Sequence, residues 1–364
     1  MTQHVQENFE FPCRHYGVCG GCTLQHLDTQ DYIDEKTSLI ANAFHGEGLK
    51  NIRINPPILI PKMHRRRCNF KVMRLHDVIH LGYHTKKSHD IADITECPLI
   101  LPELEALIIP LKKLFIHLLR NKQKVDVFLL HSDTGTDILV EGLWGLSLEQ
   151  SNKIISFCEQ HQVSRFNLKR KNEKELIIEF QKPTIRYGNI PVECQADGFT
   201  QASKMADEIL TNLVLREWPQ ENKRTLDLFC GRGTFSIPLS QHAKVDAFEL
   251  DAQAIKDLEK AKNKASCPIQ LSTRNLFEDP LILKELNAYD FAILNPPRAG
   301  AKNQCYWLSQ SSIPVIVMVS CEPATFARDA RLLIQGGYNI EEVTPVDQFL
   351  WSRHVEVVGC FRKA

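Results

Sequence analysis

Two short segments of this chain place reactive side chains at the ends of strand-like apolar runs, and a third, near the C-terminus, adds a carboxylate. Val315 to Val319 reads as a buried strand that delivers Ser320 and Cys321 to its carboxyl end, with Glu322-Pro323 next. Proline there suits the first turn of a helix, and a thiol near a helix N-terminus ionises more easily. Phe291 to Leu294 is a second such run and ends in Asn295-Pro296-Pro297-Arg298. Its amide can hydrogen-bond the edge of a base, and its guanidinium can bind a carbonyl or a phosphate. Near the C-terminus His354-Val355-Glu356 supplies a carboxylate. Alone, a strand-end cysteine is an ordinary core residue and a lone glutamate an ordinary surface charge. The weight of the cysteine comes from the Asn295 segment, which ends at the same sheet edge, and from the chemistry that would use both groups.

A thiol and a carboxylate are what alkylation of carbon 5 of a uracil requires. That carbon is barely nucleophilic, so direct attack on a sulfonium methyl is slow. A thiolate adding to carbon 6 turns the ring into an enolate whose carbon 5 is nucleophilic, which splits one hard step into easier ones. A base must then remove the carbon 5 proton before the thiolate leaves. Two other readings stay open. Asn-Pro-Pro followed by an aromatic residue suits methylation of an exocyclic amine, which would not need Cys321, although arginine follows here; a non-catalytic RNA-binding protein could also retain the fold.

Residues 225 to 235, Thr-Leu-Asp-Leu-Phe-Cys-Gly-Arg-Gly-Thr-Phe, read as a strand, a Gly-X-Gly turn and the start of a helix. Glycines there let backbone amides approach a ligand at the carboxyl end of an α/β sheet. Glu249 closes the next strand, where a carboxylate can accept hydrogen bonds from ribose hydroxyls. Ser236 stands where a dinucleotide fingerprint has its third glycine. The pattern therefore favours an adenosyl ligand over NAD held by Gly231, Gly233 and Glu249, against the plainer reading of a tight structural turn.

Cys13, Cys19 and Cys22 form C-x5-C-x2-C, and Cys97 follows far along the chain in Glu96-Cys97-Pro98. Four thiolates suit a [4Fe-4S] centre or a structural zinc, and spacing alone leaves both open. A fourth ligand would close the site and point to structure or RNA positioning rather than radical chemistry. Lys62, Arg65, Arg66, Arg67 and Lys71 lie within ten positions, the strongest local candidate for phosphate contacts. A basic strand is more usually a solvated face.

The elements that must position these groups fit the bulk properties. At 364 residues, 43% apolar and 24% charged, the chain is an ordinary globular sequence with room for two domains. Forty-four basic residues balance forty-four acidic ones, so net charge says nothing of a nucleic-acid partner. The N-terminus lacks a basic segment followed by an apolar run, and no stretch approaches the ~18 apolar residues of a membrane span; a cytoplasmic protein is expected. Twelve cysteines spread over the chain do not resemble a disulfide scaffold. Ile33, Leu39, Ile40 and Phe44 fit one stripe of a helix over Asp31 to Phe44. Between Pro56 and Ile190 short runs such as Val78 to Gly82, Val125 to Leu130, Asp137 to Glu141 and Leu176 to Glu179 predict mainly antiparallel strands. After Pro191 the rhythm of strand, turn and helix predicts an open α/β sheet with Thr225 to Phe229, Val245 to Glu249 and the two runs above as strands. Three parts are expected: a cysteine segment and linking helix over 1–55, a central RNA-binding α+β domain over 56–190 that supplies Cys97, and a catalytic domain over 191–364. No internal repeat or low-complexity segment is evident.

In this order the motifs resemble the RNA 5-methyluridine methyltransferases, the uracil-5 enzymes of 23S rRNA and tRNA. The likeness runs from Cys13 to Glu356. It covers the Cys13–Cys22 segment, His64 to Arg67, Ser88 to Ile94 before Cys97, and Gly198-Phe199-Thr200-Gln201. It continues through Asp227 to Gly231, Asn295 to Arg298, Ser320 to Thr325 and His354-Val355-Glu356. The resemblance implies a Rossmann-like S-adenosylmethionine domain, Cys321 as nucleophile and Glu356 as proton acceptor. It further implies Gln201, Phe229, Glu249 and Asn295 near the cofactor, where Asn275 is placed with them, and Phe199 and Gln201 lining the site beside Arg298. It also implies a [4Fe-4S] cluster on Cys13, Cys19, Cys22 and Cys97, and 23S rRNA as substrate, because tRNA enzymes of similar bacteria generally lack the cluster. The sequence departs from the family at Asn295, where many members have Asp, at Thr234 for a common Asn, and at Leu350 for a common Pro. With twelve residues before Cys13, no N-terminal RNA-binding barrel is expected. RNA would then be gripped by the cluster region and the central domain.

Overall fold

The apolar runs of the C-terminal half are parallel strands buried on both faces, which is why they read as continuous rather than alternating. In the computed structural model, which describes residues 13–171, 173–219 and 224–364, Ile269–Thr273, Lys244–Glu249, Arg224–Leu228, Phe291–Leu294 and Val315–Ser320 lie side by side and parallel. Glu356–Lys363 then runs antiparallel to Val315–Ser320, with Glu342–Asp347 beyond it. The chain moves outward from Arg224–Leu228 to Ile269–Thr273 and returns on the other side with Phe291–Leu294. The reversal opens a crevice at the strands' carboxyl ends, where α/β sheets bind ligands. Pro323 begins the helix Pro323–Gln335, as its fixed φ favours.

The second sheet has the order Ile91–Asp93, Val78–His84, Arg67–Leu75, Lys124–Ser132, Gly135–Glu141, Val163–Arg170, Glu173–Glu179. All neighbours are antiparallel except Gly135–Glu141 and Val163–Arg170. That parallel pair needs a crossover, supplied by the helix Leu148–Gln160, which starts in a Ser147–Gln150 capping box.

The helix expected at Asp31 to Phe44 spans Thr29–Gly46, but its buried stripe is Tyr32, Lys36, Ile40 and Phe44. The stripe is displaced from the apolar pattern because Lys36 is drawn inward by Asp347, Nζ to Oδ1 2.9 Å, both side chains fully buried. Phe44 packs on Phe326 of the catalytic half, ring centres 6.0 Å apart. The expected break after residue 55 falls between Arg53–Ile54 and Ile58–Leu59, two short strands that both join Glu342–Asp347. The break at 190 falls within the strand Ile190–Glu193, paired with Thr184–Tyr187. Alternation of apolar residues cannot locate such two- to four-residue strands. Among the described residues no helix is long and apolar enough to cross a membrane. Residues 1–12, on which the expected absence of a leader bears, lie outside the description.

Candidate active site

A cavity of about 810 Å³ occupies the crevice, closed on one side by the second sheet. That is within the usual ~300–1,000 Å³ of sites for small molecules. The strand Arg224–Leu228 feeds it through Phe229, Cys230 and Gly231. Phe229 and Gly231 have φ +62° and +55°, so the backbone turns sharply out of the strand; for phenylalanine this conformation costs ~1–3 kcal/mol and is retained where a site needs it. Gly233, also at positive φ, is not on the cavity wall. An added Cβ there would meet Leu258 at 2.7 Å, so this glycine serves helix packing. Ser236, in the place of a third glycine, donates through Oγ to buried Asp227 at 2.5 Å and thereby ties the turn to the strand before it.

Glu249 holds the turn from the neighbouring strand. Its Oε2 accepts the Gly231 N–H at 3.0 Å and its Oε1 accepts those of Leu250 and Asp251 at 2.7 and 2.9 Å. Asn275 Oδ1 accepts the Phe277 N–H at 3.1 Å, and the Phe277 ring lies 5.4 Å from that of Phe229 on the same wall. The Asn295 side chain reaches the cavity and makes no hydrogen bond among the described residues.

Cys321 and Glu356 line the same cavity. Ser320 pairs with Val357 in the antiparallel ladder, so Cys321 and Glu356 are the next two residues in that register. Burial raises the thiol's pKa and the Glu356 charge raises it further, while the Arg298 guanidinium, hydrogen-bonded to the sulfur, opposes both. Glu356 is 4% exposed, and burial pushes its carboxyl up to about 7, against a hydrogen bond from Gln348 and the charge of Arg298. Arg298 Nη2 also lies against the His354 ring, 2.8 Å from Nδ1. Burial and that cation lower the histidine's pKa.

The three consecutive arginines do not share a role. Their backbone is extended, so alternate side chains point to opposite sides. Arg65 and Arg67 line the cavity with no carboxylate partner among the described residues; Arg65 lies 5.9 Å from the Phe349 ring centre and Arg67 6.0 Å from that of Phe199. Burial and the neighbouring arginines bring the Arg67 pKa down to about 10, still protonated at neutral pH. Arg66, expected to contact phosphate, instead faces inward, 5% exposed, and pairs with buried Asp207 at 2.5 Å. Phe199 is 62% exposed at the rim, an apolar ring held out to solvent.

Cys13, Cys19, Cys22 and Cys97 open on a separate cavity of about 240 Å³ that shares Arg65 with the first. All four are free thiols. Burial raises each, Cys22 to about 12 and Cys97 to about 11, and the thiols' proximity to one another adds to both. Among the described residues no three His, Cys, Asp or Glu side chains converge closely enough to hold a single metal ion.

Sequence reasoning missed Gln348, which hydrogen-bonds Glu356, and Phe277 and Phe349, which wall the cavity. None carries a signal of its own, since an amide or a ring in a loop acquires meaning only from what it faces.

A profile of the tRNA (Uracil-5-)-methyltransferase family matches residues 31–363. An uncharacterized RNA methyltransferase of Agrobacterium fabrum is 37% identical over 100% of this chain and 88% of its own length. The 23S rRNA (uracil(1939)-C(5))-methyltransferase of Vibrio vulnificus is 29% identical over 100% of this chain and 84% of its own. Among solved structures, the fold is similar to that of the Pyrococcus abyssi tRNA (uracil-54, C5)-methyltransferase in complex with S-adenosyl-L-homocysteine. That comparison has a TM-score of 0.73 at 22% identity and covers 95% of this chain and 86% of the other.

Proposed function

The chain belongs to the tRNA (Uracil-5-)-methyltransferase family, and from that premise we propose how its residues divide the work of S-adenosylmethionine-dependent methylation of carbon 5 of an RNA uridine. The observation that carries the reading is the adjacency of Cys321 and Glu356 in one strand register, matching the adjacency of carbons 6 and 5 in the ring. When bound, S-adenosylmethionine supplies an electrophilic methyl group. Gly231, Glu249, Asn275 and the Phe229–Phe277 wall would hold its adenosyl part. Cys321 adds to carbon 6, carbon 5 takes the methyl group, Glu356 accepts the carbon 5 proton, and the thiolate leaves. Arg298 stabilises the thiolate before attack and again as it departs. Asn295 reaches the cavity with its amide free to hydrogen-bond the base or the cofactor. An exocyclic-amine methyltransferase would have no use for the thiol.

The unneutralised guanidiniums of Arg65 and Arg67 would bind RNA phosphates, and Phe199 would stack on an extruded base. Work on RNA would place the enzyme in the cytoplasm. The 23S rRNA is the preferred substrate because the Vibrio relative is named for it and the sequence carries the cysteine set. A three-part division follows: the cysteine segment, the antiparallel sheet for RNA, and the parallel sheet for catalysis.

Four cysteines lining one cavity of about 240 Å³ fit the donor set of a [4Fe-4S] cluster, the centre that the family resemblance favours over zinc. Such thiols, raised by burial and further by their proximity to one another, are stabilised as thiolates by a cationic centre. Cys13, Cys19, Cys22 and Cys97 would hold the cluster, which would brace the segment beside Arg65. Anaerobically purified protein is expected to be brown and to contain iron and sulfide. Stoichiometric zinc in a colourless preparation would overturn the assignment.

Incubation with labelled S-adenosylmethionine and separate 23S rRNA and tRNA transcripts, followed by nucleoside mass analysis, tests the function. 5-Methyluridine in the rRNA transcript is expected. Methyl groups on exocyclic amines would refute the reading, and 5-methyluridine confined to tRNA would overturn the substrate alone.

A further inference from the structure

We propose that Gln348 is a positioning residue for proton removal, fixing Glu356 so that Oε2 alone is presented to carbon 5; this rests on the reading of Glu356 as the base. Gln348 is 6% exposed, and its carboxamide has a fixed orientation. Its Oε1 accepts the Ala202 N–H at 2.8 Å, while Nε2 donates to Gln201 Oε1 at 2.6 Å and to Glu356 Oε1 at 2.8 Å. A flipped amide would set two donors against each other at Ala202 and two acceptors at Gln201. Gln348 therefore always donates to Glu356.

Both flanks of this contact are anchored. Asp347, fully buried, accepts from Lys36 Nζ at 2.9 Å, from the Tyr32 hydroxyl and from the Phe349 N–H at 3.0 Å, so the backbone beside Gln348 is clamped to the N-terminal helix. On the far side Arg66 Nε donates to the Gln201 carbonyl at 3.1 Å while its other end pairs with Asp207. The buried Arg66–Asp207 pair thus holds Gln201, Gln201 holds Gln348, and Gln348 holds the carboxylate. Glu356 Oε2 has no hydrogen-bond partner among the described residues and is not sealed from the cavity. It is the oxygen left to take a proton.

A hydrogen bond donated to a carboxylate favours its ionised form. Its loss leaves thiolate addition and methyl transfer in place but slows the final proton removal until the pH is raised. Gln348→Met keeps the volume and removes the donor; Gln348→Glu keeps the shape and sets a second carboxyl against the first. Single-turnover assays on RNA, with the methylated protein–RNA adduct followed on denaturing gels from pH 6 to 9, read the effect. Both variants are expected to accumulate adduct and to resolve it about fivefold more slowly at pH 7, with the acid limb displaced upward by about one pH unit, and to approach the wild-type rate at pH 9. An unchanged limb without adduct in both variants overturns the proposal. Glu356→Gln, run in parallel, separates the failures: if it traps adduct while both Gln348 variants do not, only the positioning role falls. If it traps none, the base assignment falls first.

Discussion

Cys321 and Glu356 each lie one step beyond Ser320–Val357, the last pair of a single antiparallel register. In such a ladder directly opposed residues project to the same face, so a thiol and a carboxylate thirty-five positions apart in sequence open on one cavity wall. Burial then gives them complementary properties: a carboxyl near neutrality able to accept a proton, and a thiol that relies on Arg298 to ionise.

The buried carboxyl carries a stability penalty with a definite pH signature. Glu356 is raised from its ordinary value to about 7 in the folded protein, so between those two pKa values the native state binds more protons than the unfolded one. Stability is then lost as pH rises through that window. Glu356→Gln removes the titration and keeps an acceptor for Gln348. Urea unfolding should show the variant more stable than wild type by about 1–3 kcal/mol at pH 8 and little different at pH 4.5. Equal stability at both pH values would contradict a buried, shifted carboxyl.

Glu249 accepts three backbone N–H groups, including that of Gly231. Its replacement by Ala should remove ribose contacts and also loosen the turn that carries Phe229. Each lost charge-assisted bond is worth ~1–3 kcal/mol, so S-adenosylmethionine should bind about ten- to a hundredfold more weakly by calorimetry. Unchanged affinity would exclude this placement of the cofactor.

The adjacent arginines should separate in experiment. Arg65→Gln and Arg67→Gln should each weaken RNA binding and lower the slope of log K against log[salt] by about 1, the mark of a lost phosphate contact. Arg66→Met should leave that slope intact and destabilise the fold by roughly 3 kcal/mol, because Asp207 is left buried without its partner. A loss of salt dependence in Arg66→Met, with normal stability, would reverse the assignment.

Much of this was legible in the sequence for physical reasons. Doubly buried strands such as Phe291–Leu294 announce themselves by unbroken apolar character, and Gly231 by the positive φ its turn demands. What escaped depends on partners distant in the chain. Lys36 looks like a solvated helix residue until Asp347 is seen beside it. Arg66 looks like its neighbours until the extended backbone turns it inward toward Asp207. Gln348 is one amide among many until Glu356 and Gln201 close on it. Gly233 shares the positive φ of its motif, and its lack of a side chain also leaves room for Leu258.

The central claim is that Cys321 and Glu356 perform successive steps of one covalent reaction, and mass spectrometry of the protein–RNA adduct tests it most directly. Glu356→Gln, incubated with S-adenosylmethionine and substrate RNA and then digested, should yield a Cys321 peptide carrying a 5-methyluridine adduct, because attack and methyl transfer proceed but the carbon 5 proton cannot leave. Cys321→Ala should yield no adduct and no product while still binding RNA and cofactor. An adduct on any other cysteine, or methylated product from Cys321→Ala, would contradict the account.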